Sequence, residues 1–83
     1  MYHVYALYSP KFDKIYIGST SSLDNRLASH NLLAKKGYTV RYRPWEIIHT
    51  ETYPTKTEAM RREKELKSAK GREFIWNKIK KNN

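Results

Sequence analysis

The chain has no cysteine, so neither a disulfide nor a thiolate-bound metal can hold it together. That suits a reducing compartment, and a cytoplasmic location is the expectation. No apolar run approaches the roughly 20 residues that cross a bilayer. The opening Met1-Tyr2-His3-Val4-Tyr5 lacks the basic-then-apolar layout of a signal peptide. Glycine is scarce, at three residues, and no glycine loop able to cradle a phosphate is visible. A Ser or Cys nucleophile motif is missing too, and His3 and His49 have no ligand partner at zinc spacing. Internal repeats and low-complexity segments are absent. Acidic residues are the last shortage: 8 stand against 17 Lys+Arg, leaving a formal net charge of +9.

What is present fits one small domain over residues 1–83 with a modest core. From Pro54 onward, ten basic residues face four acidic ones. Such a surface attracts polyanions, because each neutralised phosphate releases counterions. A solubilising surface would look the same, and acidic proteins attract positive charge as well. Aromatics are plentiful, with seven Tyr, two Trp and two Phe, and several lie among basic residues, as in Tyr38-Thr39-Val40-Arg41-Tyr42-Arg43-Pro44-Trp45. Stacking surfaces beside phosphate contacts suit nucleic acid, although Tyr and Trp also fill the cores of small sheets.

Residues 2–9 are rich in Tyr and Val and read as a strand, followed by turn residues and a second strand over residues 14–18. The short connection predicts an antiparallel hairpin that sets Tyr5 and Tyr16 on neighbouring strands. Gly18 ends the second strand or lets another backbone approach. Ser21 and Asp24 have capping-box spacing for a helix reaching about Lys35 and stopping near Gly37, with Leu23, Leu27 and Ala34 on its inner stripe. Arg26 and His30, one turn apart, border that stripe. Residues 38–44 form a connection of no assigned structure, and residues 45–53 the third strand, with Ile47 and Ile48 at its centre. Thr55 and Glu58 cap a second helix to about Ala69, whose stripe is Ala59, Met60, Glu63 and Leu66. Gly71 separates a last helix over residues 72–80, docked by Phe74, Ile75 and Ile79. The fold class is α/β (α+β), a small three-stranded, mainly antiparallel sheet flanked by helices in the order β-β-α-β-α-α. A carboxylate on a buried stripe must be paired, hydrogen-bonded, metal-bound or raised in pKa. An ion pair with Arg26 is the plain structural role for Glu63.

His3-Val4-Tyr5, ten intervening residues and then Tyr16-Ile17-Gly18 resemble the paired signature of GIY-YIG nuclease domains. Arg26 and His30 match the family's arginine and following histidine on the first helix. Ala59-Met60-Arg61-Arg62-Glu63 resembles the helical segment that carries its metal-binding glutamate, and Asn77 corresponds to a late polar residue of some members. His3 departs from the pattern by standing where the family name has glycine. The resemblance covers nearly the whole chain and is similar to single-domain members related to the nuclease module of bacterial excision repair.

The resemblance implies a DNA endonuclease with Tyr5, Tyr16, Arg26, His30 and Glu63 as its site. Glu63 would hold one divalent ion, Mg²⁺ or Mn²⁺, with waters and phosphate completing an oxygen shell. Arg26 would clamp nonbridging oxygens. Tyr5 or Tyr16 would activate water, the resemblance favouring Tyr5, although an unperturbed phenol near about pKa 10 is a poor base at neutral pH. His30 would hydrogen-bond a tyrosine hydroxyl or carry a proton. Gly18, Lys14, Arg41, Arg43 and Asn77 are supporting or nucleic-acid-binding candidates. The expected partner is DNA, branched or damaged forms included, with RNA left open, no membrane, and a monomer or weak homodimer. The alternatives are a nucleic-acid-binding module of the same fold without turnover and a basic protein-interaction domain.

Overall fold

The computed structural model describes residues 1–33, 35 and 37–81. Two strands, β1 (Tyr2–Ser9) and β2 (Lys14–Thr20), form the expected hairpin. Its turn is closed by the Asp13 amide donating to the Ser9 carbonyl at 2.7 Å. Asp13 takes φ 55°, a left-handed conformation that Asp tolerates better than most residues. Helix α1 (Leu23–Ala28) follows and widens into a π-helical turn at Ser29–Leu33. A four-residue helix, α2 (Tyr38–Arg41), lies within the connection that had no assigned structure. Strand β3 (Glu46–Tyr53) and helices α3 (Lys56–Lys67) and α4 (Ala69–Lys81) complete the chain.

The sheet order is β2-β1-β3, with both pairings antiparallel. Tyr5 faces Gly18 across one ladder and Thr50 across the other. A bulge between Ala6 and Leu7 lets Ile48 slip out of register, so the centre of β3 is only partly buried and Ile47 is exposed. As the central strand, β1 is covered on both faces. Val4 and Ala6 join Ile15, Ile17, Ala59, Leu66, Ile75 and Ile79 beneath α3 and α4. Tyr5 and Leu7 join Trp45 on the α1 side, with Tyr16, Leu23, Leu27 and Tyr42 packed around them. Period-two alternation thus sends neighbouring residues of one strand into two separate cores.

Several expected boundaries differ for identifiable reasons. Ser22, not Ser21, is the N-cap of α1, and its side chain makes no capping bond. Thr20 Oγ1 accepts the Ser22 amide at 3.1 Å instead, pinning the turn out of β2. Gly37 precedes α2 with φ 105°, and Ala34 lies outside the described residues. The Thr55 cap forms as expected, with the Glu58 amide donating to Thr55 Oγ1 at 3.3 Å. Helix α3 stops two residues early because Ser68 turns extended at ψ 168°. Its hydroxyl donates to the Glu65 carbonyl and accepts the Gly71 amide. Gly71 therefore lies inside α4 and does not separate two helices. Met60, 53 % exposed, falls outside the inner stripe, and Phe74 is exposed as well. The ring of Phe74 packs edge-on against His49 at 5.4 Å and leaves docking to Ile75 and Ile79.

Glu51 on β3 fastens the helical layer. Arg62 of α3 grips both its oxygens at 2.8 and 3.2 Å, and the Tyr53 hydroxyl and His49 Nε2 complete the shell. Lys78 of α4 donates to His49 Nδ1 at 2.8 Å. Burial alone would raise the Glu51 carboxyl, but the bonds from Arg62, Tyr53 and His49 outweigh it and hold it at about 2.

A β-carbon at Gly71 would collide with the Glu65 carbonyl oxygen and Leu66 Cα, backbone atoms that cannot swing aside. Alanine ordinarily favours a helix over glycine by about 0.5–1 kcal/mol, but overpacking costs about 1–3 kcal/mol. Gly71→Ala should therefore lower the urea unfolding free energy, and a stabilised variant would contradict the close α3–α4 approach.

Candidate active site

Tyr5 sits at the middle of β1, 2 % exposed, and its hydroxyl lies 3.0 Å from His30 Nε2. Gly18 creates the room. A β-carbon there would stand 2.6 Å from the Tyr5 oxygen and 3.2 Å from Tyr16 Cε1. Tyr16 stacks against Tyr5 with ring centres 6.3 Å apart and packs against His30 at 4.8 Å. Tyr5 and Tyr16 thus lie on neighbouring strands, as the hairpin predicted, while Gly18 does not end β2, which runs to Thr20, and what approaches it is the Tyr5 side chain and not a backbone.

His30 is 6 % exposed, although Arg26, four residues earlier in the helical run, is exposed. The change from α to π winding at Ser29 accompanies this inward placement. Arg43 stabilises the widened turn, donating to the His30 and Ser29 carbonyls at 2.5 and 3.2 Å. A cation at the end of a helix complements its free carbonyls. Asn31 completes the anchor by pairing with both backbone groups of Trp45, at 2.7 and 3.1 Å. Trp45 Nε1 in turn donates to the Thr39 carbonyl.

Burial lowers the His30 pKa, and the nearby Arg26 and Arg43 charges lower it further. The ring is therefore neutral at pH 7. Burial, then the Tyr16 hydroxyl, raises the Tyr5 pKa; Arg26 opposes this and Glu63 adds to it. The phenol keeps its proton; with Tyr5 as donor, Nε2 is the acceptor and the imidazole proton sits on Nδ1.

Glu63 reaches the same region from the other sheet face. Ser19, one residue beyond Gly18, donates to Glu63 Oε1 at 2.5 Å, and Lys67 donates to Oε2 at 2.7 Å. Burial would raise its pKa, but the Lys67 and Ser19 bonds prevail and keep the carboxylate ionised. The expected structural pair with Arg26 is replaced by this i,i+4 pair with Lys67. Arg26 is exposed and has no carboxylate partner among the described residues. Ser19 and Lys67 were not singled out from sequence. The alternation of Ser19 with Gly18 and the four-residue spacing of Glu63 and Lys67 were the available signals.

The supporting candidates scatter. Lys14 and Arg41 stand over the Tyr42 ring at 5.5 and 5.9 Å. Arg43 is engaged by the backbone beside His30, and Asn77 is exposed on α4 beside Lys78 and Lys81. The wide grooves along α3 and α4 lie on the helical layer, away from the tyrosines.

No three His, Cys, Asp or Glu side chains converge as a metal cluster among the described residues. A single ionised, half-buried carboxylate beside a hydroxyl fits a hard cation that retains most of its waters, as Mg²⁺ does. It does not fit zinc, which demands three or four protein donors.

A GIY-YIG catalytic domain is recognised across residues 1–80. A UPF0213 protein of Staphylococcus haemolyticus is 38% identical over 58 residues, covering 70% of this chain and 71% of that protein. One from Natronomonas pharaonis is 37% identical over 67 residues, covering 81% and 78%. The chain belongs to the GIY-YIG catalytic domain family, a nuclease family.

Because the folded His30 resists a proton that the unfolded chain accepts below about pH 6.5, stability should fall as pH drops from there through the lower folded pKa. Imidazole NMR titration should find His30 below 6.5, and a value above it would remove the neutral-acceptor assignment.

Proposed function

We propose that this chain is a metal-dependent endonuclease that hydrolyses DNA phosphodiester bonds. One observation supports the reading above the others: the buried Tyr5 hydroxyl lies 3.0 Å from Nε2 of His30, whose pKa is lowered, and we take the phenol as the donor of this bond. Around this bond stand the exposed Arg26 and the ionised Glu63, both of whose charges reach the phenol. Arg26 grips the nonbridging oxygens of the phosphate. The attacking water passes a proton to the Tyr5 oxygen while Tyr5 passes its own to His30 Nε2. The water oxygen bonds to phosphorus as the bond to the leaving oxygen breaks. Tyr5 stays neutral throughout, so the raised phenol pKa does not have to be overcome. His30 returns its proton to the leaving oxygen or to solvent. Tyr16 holds both rings in register. Glu63 would bind the Mg²⁺ or Mn²⁺, which when bound neutralises phosphoryl charge and steadies the leaving oxygen.

The basic surface suits DNA, branched or damaged forms included, with RNA as a second candidate. Among the described residues no helix is long and apolar enough to cross a membrane, and we assign the chain to the cytoplasm. One copy carries one such site, so both strands of a duplex can be cut by successive visits of a monomer or by a weak homodimer. A second reading, nucleic-acid binding without turnover, draws on Lys67, whose ammonium already neutralises Glu63.

Cleavage of duplex, nicked, flapped and branched DNA should appear with Mg²⁺ or Mn²⁺ and vanish with EDTA. Glu63→Ala should bring it to background with much DNA affinity retained, and Tyr5→Phe should slow it about 100- to 10,000-fold. Full activity in Glu63→Ala would refute the metal assignment. Tight binding without cutting of any substrate would establish the second reading.

A further inference from the structure

A chain of aromatic rings leads outward from Tyr16 to solvent. Tyr38 stacks on Tyr16 at 6.4 Å and 30°, Tyr42 packs against Tyr38 at 4.8 Å, and Phe12 meets Tyr42 edge-on at 5.4 Å. The rings come from the hairpin turn, α2 and the residue after it, three places the alternation of the sheet does not control. Two of them are poorly covered: Phe12 is 40 % exposed and Tyr38 46 %. Cations line the same track. Lys11 stands 5.5 Å from the Phe12 ring centre, while Lys14 and Arg41 stand over Tyr42. Asp13, the carboxylate of that turn, is turned to the Tyr8 hydroxyl at 2.9 Å. Partly exposed aromatic rings beside cations with no carboxylate partner among the described residues leave apolar area uncovered, and a stacking anion would cover it.

We infer that the Phe12–Tyr42–Tyr38 track is a stacking platform for unpaired nucleotides of the strand whose phosphate lies at Tyr5, Arg26 and Glu63. Phe12 and Tyr38 take base faces, and Lys11, Lys14 and Arg41 take the phosphates between them. A fully paired duplex hides its base faces and cannot use the platform, so the substrate class is a single strand or an unpaired end, flap or gap. Continuity through Tyr16 joins the platform to the site and gives the strand a direction. The inference rests on the nucleic-acid part of the proposed function and needs neither the metal nor turnover. The shared chemistry is an unpaired base with its phosphate, which DNA and RNA both supply.

The test is fluorescence anisotropy in EDTA, with the full chain and labelled oligonucleotides of about 12 nucleotides, within the site sizes of stacking proteins. Single-stranded deoxy- and ribo-oligonucleotides are compared with a blunt hairpin duplex of the same sequence. Single strands should bind at least about tenfold more tightly than the duplex, and the tighter of the two single strands names the sugar. Phe12→Ala and Tyr38→Ala should each weaken single-strand binding about fivefold or more. Duplex binding should stay unchanged, and Tyr38→Phe should bind as the parent does. Tyr38 also packs on Trp45, so if Tyr38→Ala unfolds, Phe12→Ala on the exposed turn decides. Equal affinity for duplex and single strand, or a loss shared equally by both, overturns the platform. A protein that cuts duplex without this preference loses the platform and keeps the nuclease reading. One that shows the preference yet cuts nothing loses the nuclease reading and keeps the platform.

Discussion

The Tyr5 hydroxyl occupies space that any side chain at position 18 would fill, and the rest of the site follows from that exclusion. With Gly18 in place, the end of the phenol has room beside β2 and reaches His30 at 3.0 Å. Tyr16, two residues earlier on the same face, then fits against both rings. The next residue, Ser19, points to the other face by strand alternation and holds Glu63. Adjacent residues of one strand therefore join a tyrosine–histidine pair on the α1 side to a carboxylate from α3.

The two titratable partners of the central hydrogen bond are pushed in opposite directions by the same burial. A neutral group is favoured on each side, so the phenol holds its proton more firmly and the imidazole accepts one less readily. At rest the bond is thus strongly one-sided. Negative charge brought near Arg26 and His30 would favour the imidazolium and narrow the gap. The proton affinity of His30 therefore depends on the net charge around Arg26 and Arg43 as well as on burial.

Much of the scaffold was legible because it depends on local rules. A Tyr- and Val-rich run and the turn residues after it marked the β1–β2 hairpin, the Thr55 cap marked the start of α3, and the position of Glu63 between Ala59 and Leu66 flagged a carboxylate facing inward. What escaped depends on contacts between segments far apart in the chain. The π turn that carries His30 inward is steadied by Arg43 and Asn31, neither of which signals its target locally. Gly71 reads as a helix breaker until the closeness of the preceding helix is known. Ser68 ends one helix and starts the next with a single hydroxyl, so a sequence pattern could assign it to either. Phe74 and Met60 are apolar at near-helical spacing, yet the buried arcs are narrow and exclude both.

The two layers differ in how their cations are partnered. Among the described residues, all four ion pairs lie in the β3–α3–α4 layer, at Glu51, Glu63 and Glu65. There the carboxylates neutralise Arg62, Lys67 and, when protonated, His49. On the other face, Lys11, Lys14, Arg26 and Arg41 have no carboxylate partner among the described residues, and three of them sit against aromatic rings. Asp24 is on that face too, but it lies in the first turn of α1, where a negative charge complements the helix N-terminus. A net charge of +9 spread evenly would attract any polyanion to any face. Helices α3 and α4 keep cations with no carboxylate partner among the described residues, Arg61, Lys64, Lys70 and Lys80 among them, so both layers are positive; what sets apart the side of Tyr5, Tyr16 and His30 is that its cations stand against aromatic rings.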